Sequence, residues 1–206
     1  MVAAIDGDIK LKRQDFEVSA DFKDIFDQTK YGGSVTLEAN RNRWVNFLQL
    51  DYLALENDDV KTRHSGEDIH LEADSLLATF ATGYRFTINQ RNTLDLMAGV
   101  RYAGMDIDLD LDAAGNLSSD QEIYDAILMV RPRVVLAENW HLMLSFSVGA
   151  GDSDLTWELF PEIIYDTGGN LDFRIGYRDL NYENKKGNDE IDFSMRGMLL
   201  GVGFTF

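Results

Sequence analysis

Hydrophobicity along this chain repeats every two residues, and that repeat governs what the chain can fold into. In the stretch LDLMAGVRYAG (94–104), Leu94, Leu96, Ala98, Val100 and Tyr102 fall on one face, and Asp95, Met97, Gly99 and Arg101 on the other. In LDFRIGYR (171–178), Leu171, Phe173, Ile175 and Tyr177 oppose Asp172, Arg174, Gly176 and Arg178. A strand sends alternate side chains to opposite faces, whereas a helix needs apolar residues at steps of three and four. The same alternation runs through 31–40, 43–55, 71–87, 122–136, 140–150, 155–165 and 191–206.

The apolar faces of these segments hold 51 positions and no charge, where the chain's 27% charged residues would place about 14. The opposite faces carry Glu38, Asp51, Arg85, Asp95, Arg101, Asp125, Arg131, Arg133, Glu158, Glu162, Asp172, Arg174 and Arg178. That set is nearly balanced, although the whole chain has 19 Lys+Arg against 36 Asp+Glu and a net charge of −17. A soluble sandwich would show its acidic excess on the solvent face. Here the excess sits in the connections, so the charged faces are expected to be enclosed and mutually paired. The uncharged faces are then expected to meet hydrocarbon. Aromatics near the ends of the alternating segments (Tyr31, Trp44, Tyr84, Phe86, Trp140, Tyr165, Phe204 and Phe206) fit the girdles that a membrane interface selects.

Turn lengths give a strand count. The connections 40–43, 88–92, 136–139 and 166–170 are short, while 56–70, 105–121 and 183–190 are longer and polar. Short turns on one side and long loops on the other describe an up-and-down barrel. Counting residues 2–12 as the opening strand gives an all-β, ten-stranded antiparallel transmembrane barrel, with eight strands as the alternative. It is a single domain over residues 1–206. Residues 13–30 read as one short helix in the first outer loop, with Ser19 or Asp21 as cap, Asp24 at capping-box spacing and Phe22, Ile25 and Phe26 on one side. Pro132 and Pro161 fall inside strands, so bulges or strand ends are expected there.

Composition excludes several classes. A chain this acidic does not hold nucleic acid through its bulk field. With no cysteine there is no disulfide framework, thiolate metal site or cysteine nucleophile. No run of 18 apolar residues marks a transmembrane helix. The opening MVAAIDGDIK lacks the pattern of a signal peptide, which fits either a cytosolic protein or a mature chain with an added Met.

The last strand, MRGMLLGVGFTF, ends in phenylalanine, with Phe204, Val202, Leu200 and Met198 at alternate positions before it. It resembles the terminal recognition signal of Gram-negative outer-membrane β-barrels. The stretches LDLMAGVRYAGMDIDLDL, SDLTWEL and LDFRIGYRDLNYE look like those of small barrels of the broad outer-membrane-protein-A-like group. The resemblance implies a bacterial outer-membrane location, with short turns in the periplasm. It leaves the activity open, because such barrels serve as anchors, pores, adhesins and enzymes.

Candidate chemistry is sparse. His64 and His70 are too far apart on an extended segment to chelate one ion directly. His141 and Ser145 share a face about 13 Å apart, too far for a hydrolase pair. Asp106, Asp108, Asp110 and Asp112 alternate like a calcium loop, but counting from Asp108 puts Ala113 and Ser119 where an EF-hand needs Gly and Glu. They remain a possible cation-binding row near lipopolysaccharide phosphates. The lumen network is expected in two clusters: Arg131 and Arg133 with Glu158, Glu162 and Asp172, and Arg101 with Asp95 and Asp125. Arg85, Arg174 and Arg178 complete it. The expected role is a structural or surface-interaction barrel, monomeric, without cofactor or resident metal and not an enzyme. Its expected partners are membrane lipid, lipopolysaccharide and divalent cations at the outer rim. A narrow channel for small polar solutes or ions is the alternative, and an outer-membrane lipid hydrolase is a third.

Overall fold

The computed structural model describes residues 2–11, 14–19, 29–61, 68–111, 115–184 and 191–206. They form one antiparallel sheet of eleven strands. In chain order these are β1 (Val2–Leu11), β2 (Gln14–Ser19), β3 (Thr29–Arg41), β4 (Trp44–Lys61), β5 (Asp68–Thr87) and β6 (Thr93–Leu111). They continue as β7 (Gly115–Ala137), β8 (Trp140–Gly151), β9 (Leu155–Asp166), β10 (Leu171–Asn184) and β11 (Ile191–Phe204). The nine strands from β3 to β11 make an up-and-down meander, each paired with the next. β1 extends the sheet beyond β11, from Val2 opposite Met198 to Ile9 opposite Ile191, and β2 pairs with β1.

Two expectations need correction. The count is eleven, because residues 14–19 form a strand. In QDFEVS, Phe16 and Val18 alternate with Glu17 and Ser19, and pairing with β1 supplies ladder partners that a short isolated helix would lack. The expected helix over 13–30 is therefore not found: there is none among the described residues, and Ser19 ends β2. Its remaining capping and apolar positions, Asp21, Phe22, Asp24, Ile25 and Phe26, lie outside those residues. The second correction concerns the prolines. Neither Pro132 nor Pro161 makes a bulge or ends a strand. Each leaves a gap of two pairs in one ladder with the register unchanged on both sides, because the ring removes a single N–H donor.

The sheet curls so that one face becomes a lumen. At the β5–β6 contact, a Cβ on Gly83 would run into the carbonyl of Leu96, and one on Gly99 into that of Phe80. Only glycine lets these strands pass so closely on the concave side. The hairpin from β3 to β4 turns at Asn42, whose φ of 58° suits a short amide side chain.

The two faces follow the alternation. Leu128 is 64% exposed and Val100 58%, whereas Arg101 is 1% exposed and Arg131 2%. Aromatic side chains line the short-turn end: Trp44 stacks edge-on to Tyr84 at 6.1 Å, and Trp140 meets Tyr165 at 4.9 Å. Toward the loop end, Tyr102 meets Tyr124 at 4.9 Å, and Tyr52 donates to Asp74 at 3.2 Å. Trp44 and Tyr52 belong to opposite rims of one strand, roughly 27 Å apart along it and about 20 Å apart across a bilayer after tilting. Between those rims the outward side chains of the described residues are uncharged.

This assignment predicts a cost for any charge placed on the outer face. Leu128→Arg, between the rims on β7, should destabilise the folded protein in bilayers by about 2–4 kcal/mol. Equilibrium denaturation in lipid vesicles measures it, and an unchanged midpoint would contradict the assignment.

Candidate functional site

Inside the curl the side chains lie in alternating layers. Reading β4 from the short-turn end, Val45 and Phe47 are followed by Gln49 and Asp51, then Leu53; β5, β6 and β7 repeat the order. The result is two charged layers separated by one buried apolar cluster (Val45, Phe47, Ala81, Met97, Ile127 and Met129) and covered by a second (Leu53, Leu77, Ala103, Met105, Ile123, Leu180, Tyr182 and Met195).

The layer at the short-turn end is a closed ring of opposite charges. Arg85, Asp95 and Arg131 are direct register partners on β5, β6 and β7. Arg85 grips Asp95 through Nε and Nη2 at 2.7 and 2.8 Å. Arg131 Nη2 donates to Asp95 at 3.0 Å and to Glu38 at 2.6 Å. Arg85 Nη2 closes the ring on Glu38 at 2.9 Å, and Asn40 supports the same carboxylate at 2.9 Å. The Arg131 guanidinium also sits 4.9 Å from the centre of the Phe47 ring. Each carboxylate thus has two cations, which is the arrangement that a buried charge requires.

The second charged layer spans the curl. Arg101 Nη2 donates to Ser147 at 2.8 Å and to Glu158 at 2.6 Å, Nη1 reaches Thr156 at 3.5 Å, and Nε meets Thr79 at 3.2 Å. Arg178 shares Glu158 at 3.2 Å and lies 2.8 Å from Asp51. That last pair ties β10 to β4 across the interior. Asp125 accepts from the backbone N–H of Ser153 at 3.0 Å and from its hydroxyl at 2.5 Å.

The expected clusters are regrouped. Glu158 belongs with Arg101 and Arg178, not with Arg131, while Asp95 belongs with Arg85 and Arg131, not with Arg101. Direct register joins Asp95 to its partners, but Arg101 reaches diagonally past its neighbour Asp125 to β8 and β9. Strand tilt sets that diagonal, and face parity cannot supply it. Arg174 pairs with Asp172 two residues away on β10, at 2.6 and 3.1 Å. Arg133 and Glu162 point into the same lumen, and neither forms an ion pair with another described residue. Gln49, Thr79, Ser147, Ser153 and Thr156 were absent from the charged set. All but Ser153 stand in strands, and the signal that finds them is their parity with Asp51, Arg101 and Glu158.

The other candidates are placed as follows. His141 and Ser145 share the inner face of β8 with no hydrogen bond between them, and His141 Nδ1 is buried without a partner. Asp106 faces outward, with Asp74 and Asp120 as its register partners. Asp108 and Asp110 are backbone positions of β6, while His64 and Asp112 lie outside the described residues. Among the described residues no three metal-ligating side chains come together.

The ring makes a graded prediction. Asp95→Asn leaves the buried Arg131 and the half-buried Arg85 short of a carboxylate and should cost about 3–5 kcal/mol. Asp172→Asn, in a partly exposed pair, should cost about 1 kcal/mol or less. Denaturation midpoints of the two variants in one lipid measure the contrast, and equal shifts would contradict it.

The family comparison agrees with the architecture. The family model described as "Outer membrane protein beta-barrel domain" matches residues 5–206. No curated protein matches the chain. Among solved structures, the crystal structure of the beta domain of the Bordetella autotransporter BrkA is similar over 99% of this chain and 97% of that one, at 12% identity and a TM-score of 0.33. With its outward apolar face, aromatic rims and enclosed charges, the chain belongs to the outer membrane protein β-barrel domain family, and its place is the bacterial outer membrane.

Proposed function

We propose that this domain is a sealed outer-membrane barrel that works as a structural and surface-interaction element. One observation carries the reading. The Arg178–Asp51 and Arg101–Glu158 pairs cross the interior between two buried apolar clusters. An ion passing along the axis would have to break these pairs and then cross a layer of Leu, Ile and Met side chains. Both steps are costly, because a charge leaving its partner inside the protein loses several kcal/mol.

The interaction surface in this reading is the loop end. Asp74, Asp106, Asp120 and Glu122 lie on the outer face near the tyrosines at that rim, and Tyr102 donates to Glu122 at 3.2 Å. Carboxylates at that depth suit divalent cations shared with lipopolysaccharide phosphates, so lipid, lipopolysaccharide and those cations are the proposed partners of a monomeric barrel. No catalytic step is assigned to it.

The second reading is a narrow channel for small polar solutes or ions. Arg133 and Glu162 favour it, as unpaired charges at the short-turn end of the lumen. Conductance of the refolded protein in a planar bilayer separates the two. The sealed reading predicts a silent membrane. Steady steps whose ion selectivity changes with Arg131→Glu would sink it and establish the channel.

A further inference from the structure

Pro132 and Pro161 stand on opposite sides of one residue. Leu144 of β8 is the register partner of Pro161. The β7–β8 register, which runs Val130 with Phe146 and resumes at Arg133 with Met143, puts the same Leu144 opposite Pro132. On the far side of the hairpin, the β9–β10 ladder stops at Glu162 with Gly176 and resumes at Leu159 with Asp179. The hairpin of β8 and β9 is therefore flanked at one level by two interrupted ladders. The β5–β6, β6–β7, β8–β9 and β10–β11 ladders run unbroken through that level.

The same hairpin is the shortest of the β3–β11 meander. β8 and β9 have 12 residues each, against 20, 19 and 23 in β5, β6 and β7. Its connecting turn folds inward, and Ser153 is 2% exposed. Above the proline row the hairpin keeps short ladders, Phe146–Gly151 with β7 and Leu155–Leu159 with β10, and its turn adds backbone bonds from the Asp152 N–H to Tyr124 and from the Asp154 N–H to Glu183. From the lumen it is held by three side chains, of which Arg178 on β10 shares Glu158 at 3.2 Å. Arg101 on β6 bonds Ser147, Thr156 and Glu158, all of them on the hairpin. Asp125 on β7 holds Ser153 by both its N–H and its hydroxyl.

We propose that the outer half of the β8–β9 hairpin is a hinged flap over the lumen. It bends at the row Pro132–Leu144–Pro161 and is held shut by the Asp125–Ser153 latch and the Arg101 clamp. Each proline withholds one ladder N–H at the same level, so the ladders on both sides of the hairpin are already interrupted where it bends. Swinging outward exposes the charged layer of Arg101, Glu158 and Arg178 to the loop side and opens an intermittent path for water and small ions. This goes beyond the sealed resting state proposed above.

Hydrogen exchange on the protein refolded in lipid nanodiscs tests the flap, with planar-bilayer recording on the same samples. The amides of Ser145–Gly151 and Thr156–Leu159 should exchange about tenfold faster than those of Ala78–Gly83 and Met97–Arg101 at matching depth. Ser153→Ala should raise flap exchange further and give brief conductance steps. Pro161→Ala restores a ladder donor and should slow flap exchange, a direction that general destabilisation does not produce. It also keeps the test open if the Ser153 variant fails to fold. Exchange equal to that of β5 and β6, no response to either variant, or faster exchange without any conductance would overturn the proposal. Steady conductance of the wild-type protein would instead overturn the sealed reading and leave the exchange contrast to be judged on its own.

Discussion

Hydrocarbon offers no partner to a backbone amide or to a charged side chain. Every other feature of the structure depends on that constraint. It requires a sheet whose neighbouring strands satisfy one another, and it forbids charge on the face that meets lipid. The chain answers with one device, an alternation that sends Leu, Val, Ile and aromatic residues outward and the charges between the rims inward, while Asp74, Asp106, Asp120 and Glu122 stand on the outer face at the loop end. The prolines show how narrow the margin is. Each is tolerated where one ladder is interrupted while the ladder on its other side stays whole.

Moving the charges inward creates a second problem, since a narrow lumen is also a poor solvent for ions. The interior solves it by layering. A ring of Glu38, Arg85, Asp95 and Arg131 alternates sign so that each group meets two opposite charges. A belt of Asp51, Arg178, Glu158 and Arg101 alternates sign as an open chain, its end groups completed by Gln49 on Asp51 and by Ser147, Thr79 and Thr156 on Arg101. Apolar layers rich in Met, Leu and Ile exclude water from these pairs, which strengthens each of them. The same layers fill the space that a pore would need. In the sealed reading proposed here, sealing and charge pairing are two consequences of one packing pattern.

Much of this is legible in the amino-acid sequence. Face parity placed Arg101, Arg131, Arg178, Asp95 and Glu158 in the lumen, because charge spacing of two is a local property. The nine-stranded meander is also readable, because four short turns, each containing Asn, punctuate the alternating segments and longer polar stretches join the hairpins. The pairing of the charges is not. It depends on strand tilt, a property of the whole sheet, so Arg101 was matched with its lateral neighbour Asp125 when its donors run diagonally to Glu158 and Ser147. Residues 14–19 misled for a related reason: a six-residue strand leaves too few alternations to outweigh the helical spacing that follows it. The meaning of Pro132 and Pro161 emerged only when register set both beside Leu144.

The central claim is the assignment of faces, and site-specific fluorescence in bilayers tests it most directly. The chain contains no cysteine, so single cysteines at successive positions from Ala126 to Arg131 can each carry a fluorophore. In vesicles of brominated phospholipid, the account predicts strong quenching at positions 126, 128 and 130 and weak quenching at 127, 129 and 131. Quenching that is uniform along the strand, or that alternates in the opposite phase, would contradict it.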